Sequence, residues 1–446
     1  MKVLTPFEGL AILGIFAVVM FAVAWAKMGR DVQRDTFLVA NRDVSLVSGS
    51  FSIAASWIWA PAVFICSMQA YDKGLPGIFW FTAPNILCFF LFAPLALRFR
   101  RLMPKGYTLP EFIHKRFGGH KPVHLAFLVV FFGYQFGALV INCVAGGTLL
   151  HAICGLDIRV AIVAMSTTTV AYSLLSGLKT SILTDVVQMA TILAIGFVLV
   201  PWCIVESGGW SAVAGGLGGH SGQYSNILHP SVAWTMGIPM TLGLFAGPIA
   251  DQMFFQRALA VRKEHVVYTF VGGGLLFGVV PIALSLLGFL AANPESGIIA
   301  GTFDHQVVGA VVVAKMLPKA ALVLFCFMAF AGLTSTLDSA HCALSALGTV
   351  DVYRRYFNPR PSDTQLLSVA RQTMVITAVV GTSVALLQPR LLWAFLIYGA
   401  LASAGMAPTI LSLFWSRIPP SGAFYAVCLS LAVGTPLSIY ANIVEN

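Results

Sequence analysis

The stretch Ser52-Ile-Ala-Ala-Ser-Trp-Ile-Trp-Ala-Pro-Ala62 lies in the middle of an apolar segment, residues 46–71, that is long enough to cross a bilayer. Because proline has no backbone N–H and clashes with the preceding turn, Pro61 predicts a helix interrupted near its centre. The segment 231–254 is also expected to be interrupted, since it carries Gly237, Pro239, Gly243, Gly247 and Pro248. Two interrupted membrane helices are typical of transporters that bind their solute at the breaks.

The composition indicates a polytopic membrane protein. Of 446 residues, 58% are hydrophobic and 10% are charged, and the mean hydropathy is +0.87, whereas a soluble protein carries roughly 25% charged residues. We count about twelve apolar segments of membrane-spanning length: 7–27, 46–71, 77–98, 122–153, 159–176, 182–205, 231–254, 266–292, 319–350, 367–388, 390–415 and 420–441. No hydrophilic stretch is long enough for a separate domain, so residues 1–446 are expected to form one all-α transporter domain.

The order of these segments predicts an inverted repeat. Five segments begin with the first interrupted one and five with the second, which predicts a first repeat over 46–205 and a second over 231–415. Residues 7–27 and 420–441 would then be peripheral helices. The alternative is that the prolines and glycines have no such meaning, because both are common in membrane helices.

The basic residues predict the orientation. With the N-terminus outside, the inside loops hold 20 of the 26 Lys and Arg residues, as the positive-inside rule expects. We therefore interpret the net charge of +9 as a membrane signal rather than a nucleic-acid signal. The expected location is the cell membrane, the inner one in a Gram-negative bacterium, and the expected functional unit is a monomer.

The stretch Ser335-Thr-Leu-Asp-Ser339 places hydroxyls and a carboxylate in an apolar segment. A charge at membrane depth costs at least ~2.5 kcal/mol and is rarely idle. Ser335, Asp338 and Ser339 share one helical face, and an oxygen-only ligand set suits a small hard cation. The alternative for Asp338 is a hydrogen-bonded structural carboxylate, and a proton pair with His341 is a further one.

The remaining polar residues within the segments are candidates for a solute site or a gate. Asp185 either belongs to the ion site or is a satisfied polar group near the interface, for example paired with Lys179. Asp251 and Gln252 are expected to form a gate or a structural contact at the inside end of their helix. Ser56, Trp59, Gln135, Asn142 and Phe245 are candidate cavity residues. Since no Lys or Arg lies in the core of a segment, a neutral or zwitterionic solute is favoured, and no enzyme constellation is present.

Three blocks resemble the signatures of the sodium:solute symporter family along nearly the whole chain. They are Ser176-Gly-Leu-Lys179 with Thr184-Asp-Val-Val-Gln188, then Asp251-Gln252 with Gln256-Arg-Ala-Leu-Ala260, and Ser335-Thr-Leu-Asp-Ser339 running to Asp351-Val-Tyr-Arg-Arg-Tyr356. The resemblance implies the leucine-transporter fold, a five-plus-five inverted repeat, here with one leading and one trailing helix. It also implies solute transport by alternating access.

The resemblance implies ion ligands as well. One sodium would be held by the hydroxyls of Ser335 and Thr336 and by the backbone carbonyls of Ala54, Trp57 and Gly332. A second cation site, present in some members, would comprise Asp185, Asp338 and Ser339. Because residue 338 is a carboxylate here, a proton is an alternative occupant of that second site.

Within the family, Ala55-Ser-Trp-Ile-Trp-Ala60 and Gly74-Leu-Pro-Gly-Ile-Phe-Trp80 are most similar to the urea symporter branch. The sequence therefore predicts sodium-coupled symport of a small solute, with urea as the first candidate. A proton-coupled symporter of another small solute, such as an amino acid or a carboxylate, and a membrane sensor built on a transporter fold remain alternatives.

Overall fold

The computed structural model describes residues 4–26, 32–297 and 304–444. These residues are almost entirely helical, and within these ranges the only β pairing is an isolated bridge between Val44 and Val261. Eleven of the described helices are long and apolar enough to cross a membrane. The prediction of an all-helical, multi-pass bundle is confirmed.

The helices are numbered in chain order. They are α1 Pro6–Ala26, α2 Arg34–Val39, α3 Leu46–Trp57, α4 Cys66–Leu102, α5 Leu109–Arg116, α6 Lys121–Cys154, α7 Ile158–Ser176, α8 Leu178–Glu206, α9 Trp210–Gly215, α10 Pro230–Val232, α11 Ile238–Ala250, α12 Gln252–Ala260, α13 Val266–Ala292, α14 Val308–Met316, α15 Lys319–Ala346, α16 Asp363–Ala385, α17 Leu391–Phe414, α18 Pro420–Leu429 and α19 Thr435–Val444. Turns of π-helix at Pro61–Ile65, Ala233–Gly237, Leu347–Phe357 and Ser430–Gly434 join neighbouring helices.

The long helix α4 contains the end of one predicted segment and all of the next. Gly74 divides them with a positive φ of 57°, and a Cβ there would lie 2.5 Å from the carbonyl oxygen of Leu217. Only glycine fits a left-handed turn this close to another backbone. With α4 divided at Gly74, each of the twelve predicted segments lies in a helical region of its own.

Both predicted interruptions are present, and the structure gives the position of the second, which the sequence left open. The first is at Ile58, where φ is −84° and ψ is 78°, between α3 and the π-turn at Pro61. The second is at Asp251, whose extended backbone separates α11 from α12. The Asp251 side chain then caps α12 by accepting a hydrogen bond from the Met253 N–H.

The segment predicted to end at residue 254 therefore continues to Ala260 as a second half-helix. Every residue of α12 is buried. Arg257 lies beyond the end of the predicted segment and yet has only 1% of its surface exposed. The absence of Lys and Arg from the cores of the predicted segments therefore does not extend to the interior of the bundle.

Among the described helices long enough to cross a membrane, α15 is the most buried. It packs against α6 and α8, and all of its residues from Met328 to Ala346 are buried. The Ser335–Ser339 stretch lies in the middle of that range and faces α3, α7, α8 and α12. The assignment of 46–205 and 231–415 as inverted repeats stays a prediction.

Candidate cation and solute site

The break after α3 exposes backbone carbonyls in the interior of the bundle. In a continuous helix the N–H of residue 61 would bond to the carbonyl of Trp57, and Pro61 has no N–H to give. The last helical N–H, that of Ile58, is shared between the carbonyls of Ala54 at 3.1 Å and Ala55 at 3.0 Å. The break therefore presents oxygen atoms that a cation can coordinate.

The side chain of Asn142 supports this break. Its Oδ1 accepts a hydrogen bond from the Ala60 N–H at 3.0 Å, and its Nδ2 donates to the Ala138 carbonyl of its own helix at 2.8 Å. An unpaired N–H in the interior would be costly. The predicted cavity residue Asn142 thus holds the interrupted backbone in place from α6.

Helix α15 places two predicted ligands, Gly332 and Thr336, against the break and a third, Ser335, against Asp185. The Thr336 hydroxyl donates to the Ser56 carbonyl at 3.1 Å, and the Ser335 hydroxyl donates to Asp185 Oδ1 at 2.5 Å. A Cβ on Gly332 would lie 2.8 Å from the Ile58 carbonyl oxygen, so the glycine permits this close approach. Residues 332, 335 and 336 share one helical face, and that face meets the end of α3.

Asp185 forms a buried ion pair with Arg257. Arg257 Nη2 lies 2.8 Å from Asp185 Oδ2, and Arg257 also donates to Ser339 Oγ at 2.6 Å and to Ser52 Oγ at 2.9 Å. Ser52 in turn donates to Asp185 at 2.5 Å. The alternative that Asp185 pairs with Lys179 is not what the structure shows, because α12 brings Arg257 to it instead.

Asp338 is surrounded by hydroxyl donors. It accepts hydrogen bonds from Tyr172 at 2.8 Å, Ser181 at 2.6 Å, Thr184 at 3.2 Å and its neighbour Ser339 at 3.3 Å. The side chain of His341 lies instead 3.4 Å from the Thr169 hydroxyl. The structure thus joins Asp185, Asp338 and Ser339 into one network, with two carboxylates and one guanidinium.

Sequence reasoning missed five members of this network: Ser52, Tyr172, Ser181, Thr184 and Arg257 as a partner of the carboxylates. Thr184 and Arg257 carried a signal, since each belongs to one of the family-like blocks. The others had none, because a serine or tyrosine in an apolar helix is common and only packing shows what it contacts.

Of the remaining predicted solute residues, Gln135 contacts the second break and Trp59 follows the first. Gln135 Nε2 donates to Asp251 Oδ1 at 2.8 Å, and both side chains are fully buried. The Trp59 ring lies 5.0 Å from the Tyr398 ring, which stacks on Tyr134 at 3.7 Å. Phe245 lies partly buried on α11 and Ser56 donates to its own helix, so these two are not brought into the same hydrogen-bond network.

Gln252 links α12 to the segment before α5. Its Oε1 accepts the Leu109 N–H and its Nε2 donates to the Tyr107 carbonyl, each at 3.1 Å. Close by, Asp351 accepts from the Thr108 hydroxyl at 2.6 Å. Asp251 and Gln252, which were predicted as one gate or structural contact, therefore have different surroundings. Asp251 faces α6, and Gln252 bonds to the backbone just before α5.

The family model of the sodium:solute symporter family matches residues 37–430, which include both breaks and every ligand described above. The chain belongs to the sodium:solute symporter family. The predicted resemblance is confirmed, and the relatives of this chain are transporters rather than enzymes.

Two relatives illustrate what this chain is similar to. It is 24% identical to the urea-proton symporter DUR3 of Oryza sativa subsp. japonica over 97% of this chain and 65% of the rice protein. It is also 24% identical to the sodium/glucose cotransporter of Vibrio parahaemolyticus over 95% of this chain and 84% of that protein. This chain thus spans somewhat less than two thirds of the length of the rice protein.

A solved structure supports the fold of this chain. A Na+-coupled sialic acid symporter in a substrate-bound outward-open state superposes with a TM-score of 0.82, at 16% sequence identity, over 97% of this chain and 96% of that one. The likeness confirms the leucine-transporter type of fold, with the interrupted helices in the interior.

Proposed function

We propose that this protein is a secondary active transporter that couples the movement of a cation, with sodium as the first candidate, to symport of a small solute by alternating access. The observation that carries the proposal is the contact between α15 and the break after α3. There the Thr336 hydroxyl bonds to the Ser56 carbonyl, 3.1 Å away, so two helices that must separate in a transport cycle meet at oxygen ligands.

The sodium ligands in this proposal are Ala54, Trp57, Gly332, Ser335 and Thr336. All are oxygen donors, which suits a hard monovalent cation. A bound sodium would join α15 to the broken helix and so stabilise one state of the cycle relative to the other. A ligand can shift such an equilibrium only by its differential affinity for the two states.

A second cation or proton would be held by Asp185, Asp338 and Ser339. With Arg257 counted, this network carries one more carboxylate than guanidinium, a charge that one monovalent cation neutralises. The name of the rice relative, a urea-proton symporter, makes proton coupling the second candidate. A dependence of uptake on the pH gradient distinguishes it from sodium coupling.

Urea is the first solute to test, because the rice relative is named for it and because residues 55–60 and 74–80 resemble the urea symporter branch. The proposal further places the protein in the cell membrane as a monomeric unit with its N-terminus outside. The distribution of Lys and Arg supports that orientation.

The test is uptake of labelled urea into proteoliposomes that contain the purified protein. We expect an inward sodium gradient to drive accumulation above equilibrium, and an equal potassium gradient to drive none. Accumulation driven only by an inward proton gradient would replace sodium with the second candidate. Uptake that never exceeds equilibrium under any gradient would overturn symport.

A matched pair of variants connects this activity to the site. Thr336→Ala removes the hydroxyl that meets the break, and we expect it to raise the sodium concentration needed for half-maximal uptake. Thr191→Ala removes a hydroxyl that bonds only within its own helix and should leave sodium dependence unchanged. Equal sodium dependence in both variants would contradict the assignment of the ligand.

A further inference from the structure

The second break contains a buried carboxylate whose two oxygen atoms are in different situations. Asp251 Oδ1 accepts from the Met253 N–H at 2.7 Å, which caps α12, and from Gln135 Nε2 at 2.8 Å. Asp251 Oδ2 is buried without a hydrogen-bond partner. One oxygen is therefore used by the fold, and the other is left free.

Gln135 has the same division. Its Nε2 donates to Asp251, while its Oε1 is buried without a partner. Within residues 4–26, 32–297 and 304–444, this is the only pair of side chains bonded to each other in which both keep such an unpaired atom. Buried polar atoms are normally paired, and an unpaired one in a native structure requires an explanation.

Both unpaired atoms are acceptors. The Gln135 amide orientation is determined by its bond to Asp251, so the free atom is the oxygen. Among the described residues no ion pair compensates Asp251, because the nearby Arg257 donates to Asp185, Ser339, Ser52 and the Met253 carbonyl. The pair thus calls for hydrogen-bond donors from outside the protein.

Aromatic rings converge on the same region. Gly247 lies one helical turn before Asp251, and a Cβ there would lie 2.8 Å from the Trp57 ring and 3.0 Å from the Tyr134 hydroxyl. Tyr134 stacks on Tyr398. Flat aromatic faces next to two acceptors favour a small planar molecule with N–H groups along one edge.

We propose that Asp251 Oδ2 and Gln135 Oε1 are the recognition site for the transported solute. They select molecules in which two nitrogen atoms bonded to one trigonal carbon present parallel N–H donors. This chemistry is shared by urea, its N-alkyl derivatives and guanidinium. The inference rests on the proposed transport function for its physiological meaning and assigns Asp251 to the solute rather than to a gate.

Two isomers of equal size test the site. In its extended form, 1,3-dimethylurea presents two parallel N–H groups, one on each nitrogen, whereas 1,1-dimethylurea has both of its N–H groups on a single nitrogen. Binding is measured on the purified full chain by quenching of tryptophan fluorescence and by competition with labelled urea. We expect the 1,3 isomer to bind at least tenfold more tightly.

The matched variants are Asp251→Asn and Asp157→Asn. Both replace an aspartate that caps a helix, Asp157 capping α7, and asparagine is an equally good cap. Asp251→Asn exchanges the free acceptor for a donor, so it should abolish the preference for the 1,3 isomer and weaken competition by guanidinium at least tenfold. Asp157→Asn should bind both isomers as the wild type does.

A preserved isomer preference in Asp251→Asn, or equal binding of both isomers to the wild type, would overturn the inference even if sodium-driven uptake is intact. A preference that Asp251→Asn abolishes would support it even if no sodium dependence is found. Competition by both guanidinium and unlabelled urea would support selection by the pattern of N–H donors. Competition by guanidinium alone would show that the carboxylate selects for positive charge and would overturn the inference.

Discussion

Arg257 Nη2 lies 2.8 Å from Asp185 Oδ2 in a region where the two side chains are no more than 1% exposed. The pair joins α12, the half-helix after the second break, to α8. The Ser335 hydroxyl, a proposed sodium ligand, donates to Asp185. The position of α12 and the ligands on α15 are therefore physically connected.

Truncation of one partner should be far more harmful than removal of both. Arg257→Gln leaves Asp185 as an uncompensated buried charge, which typically costs about 3–5 kcal/mol. Asp185→Asn combined with Arg257→Gln should recover much of that loss, since two neutral groups remain. Thermal unfolding in detergent of both single variants and the double variant measures the coupling.

The exposed pair of Arg262 and Asp43, on the surface of the protein, provides the control. Arg262→Gln should change the unfolding midpoint very little, because solvent screens exposed pairs. Strictly additive effects at Asp185 and Arg257 would show that the buried pair is not coupled.

Glycine 332 should be essential for the cation site. Gly332→Ala introduces a Cβ 2.8 Å from the Ile58 carbonyl oxygen, which pushes α15 away from the break. We expect the sodium-specific thermal stabilisation to disappear. Gly243→Ala, at a helical position with open space around it, should keep that stabilisation, and its loss in both variants would point to a general effect of alanine.

Sodium binding should need the hydroxyl of Thr336 but not its methyl group. Loss of one ligand in Thr336→Ala is expected to weaken sodium binding about tenfold, or about 1.4 kcal/mol, and to weaken solute binding by linkage. Thr336→Ser should bind sodium close to the wild-type level. Titration of the unfolding temperature with sodium at constant ionic strength measures both, and an impaired Thr336→Ser would assign the effect to packing.

Gln252 should hold the segment before α5 against α12. In Gln252→Ala the Leu109 N–H loses its acceptor, so we expect hydrogen exchange across residues 104–116 to accelerate at least tenfold. Gln256→Ala removes a different amide, one that donates to the Leu38 carbonyl, and should not alter that segment. Unchanged exchange in Gln252→Ala would rule out its role as a clamp.

Glu111, which lies outside the membrane-spanning helices, should contribute a pH-dependent part of stability. Burial alone would raise its pKa, but the hydrogen bond from Lys115 and the nearby Arg354 outweigh burial and hold the pKa below its ordinary value. The stabilisation is therefore fully present above about pH 4.3 and is lost as the pH falls through the lowered pKa.

Unfolding midpoints between pH 3 and pH 7 test this sign. Glu111→Gln should be less stable than the wild type at pH 7, and the two should converge as the pH falls. A difference that grows toward low pH would contradict a lowered pKa.

Hydropathy predicted the helical bundle, because in lipid a single segment can pair all of its backbone N–H and C=O groups only as a helix. Pro61 likewise predicted the first break, since the missing N–H is a local property. The second break was predicted in the right helix but its position was not, because Pro248 and three glycines nearby all permit a break, and only packing determines that Asp251 leaves the helix.

The hydroxyls and the one carboxylate of α15 could be identified from the sequence because a polar group at membrane depth requires a partner. The identity of that partner could not be read from spacing. Arg257 is 72 residues from Asp185 along the chain, and it reaches Asp185 only because α12 turns back into the bundle. The class of fold and the polar residues that need partners follow from the sequence. Which of these residues contact each other, and which oxygen atoms remain unpaired, follows only from the tertiary structure, because such contacts depend on how distant helices pack.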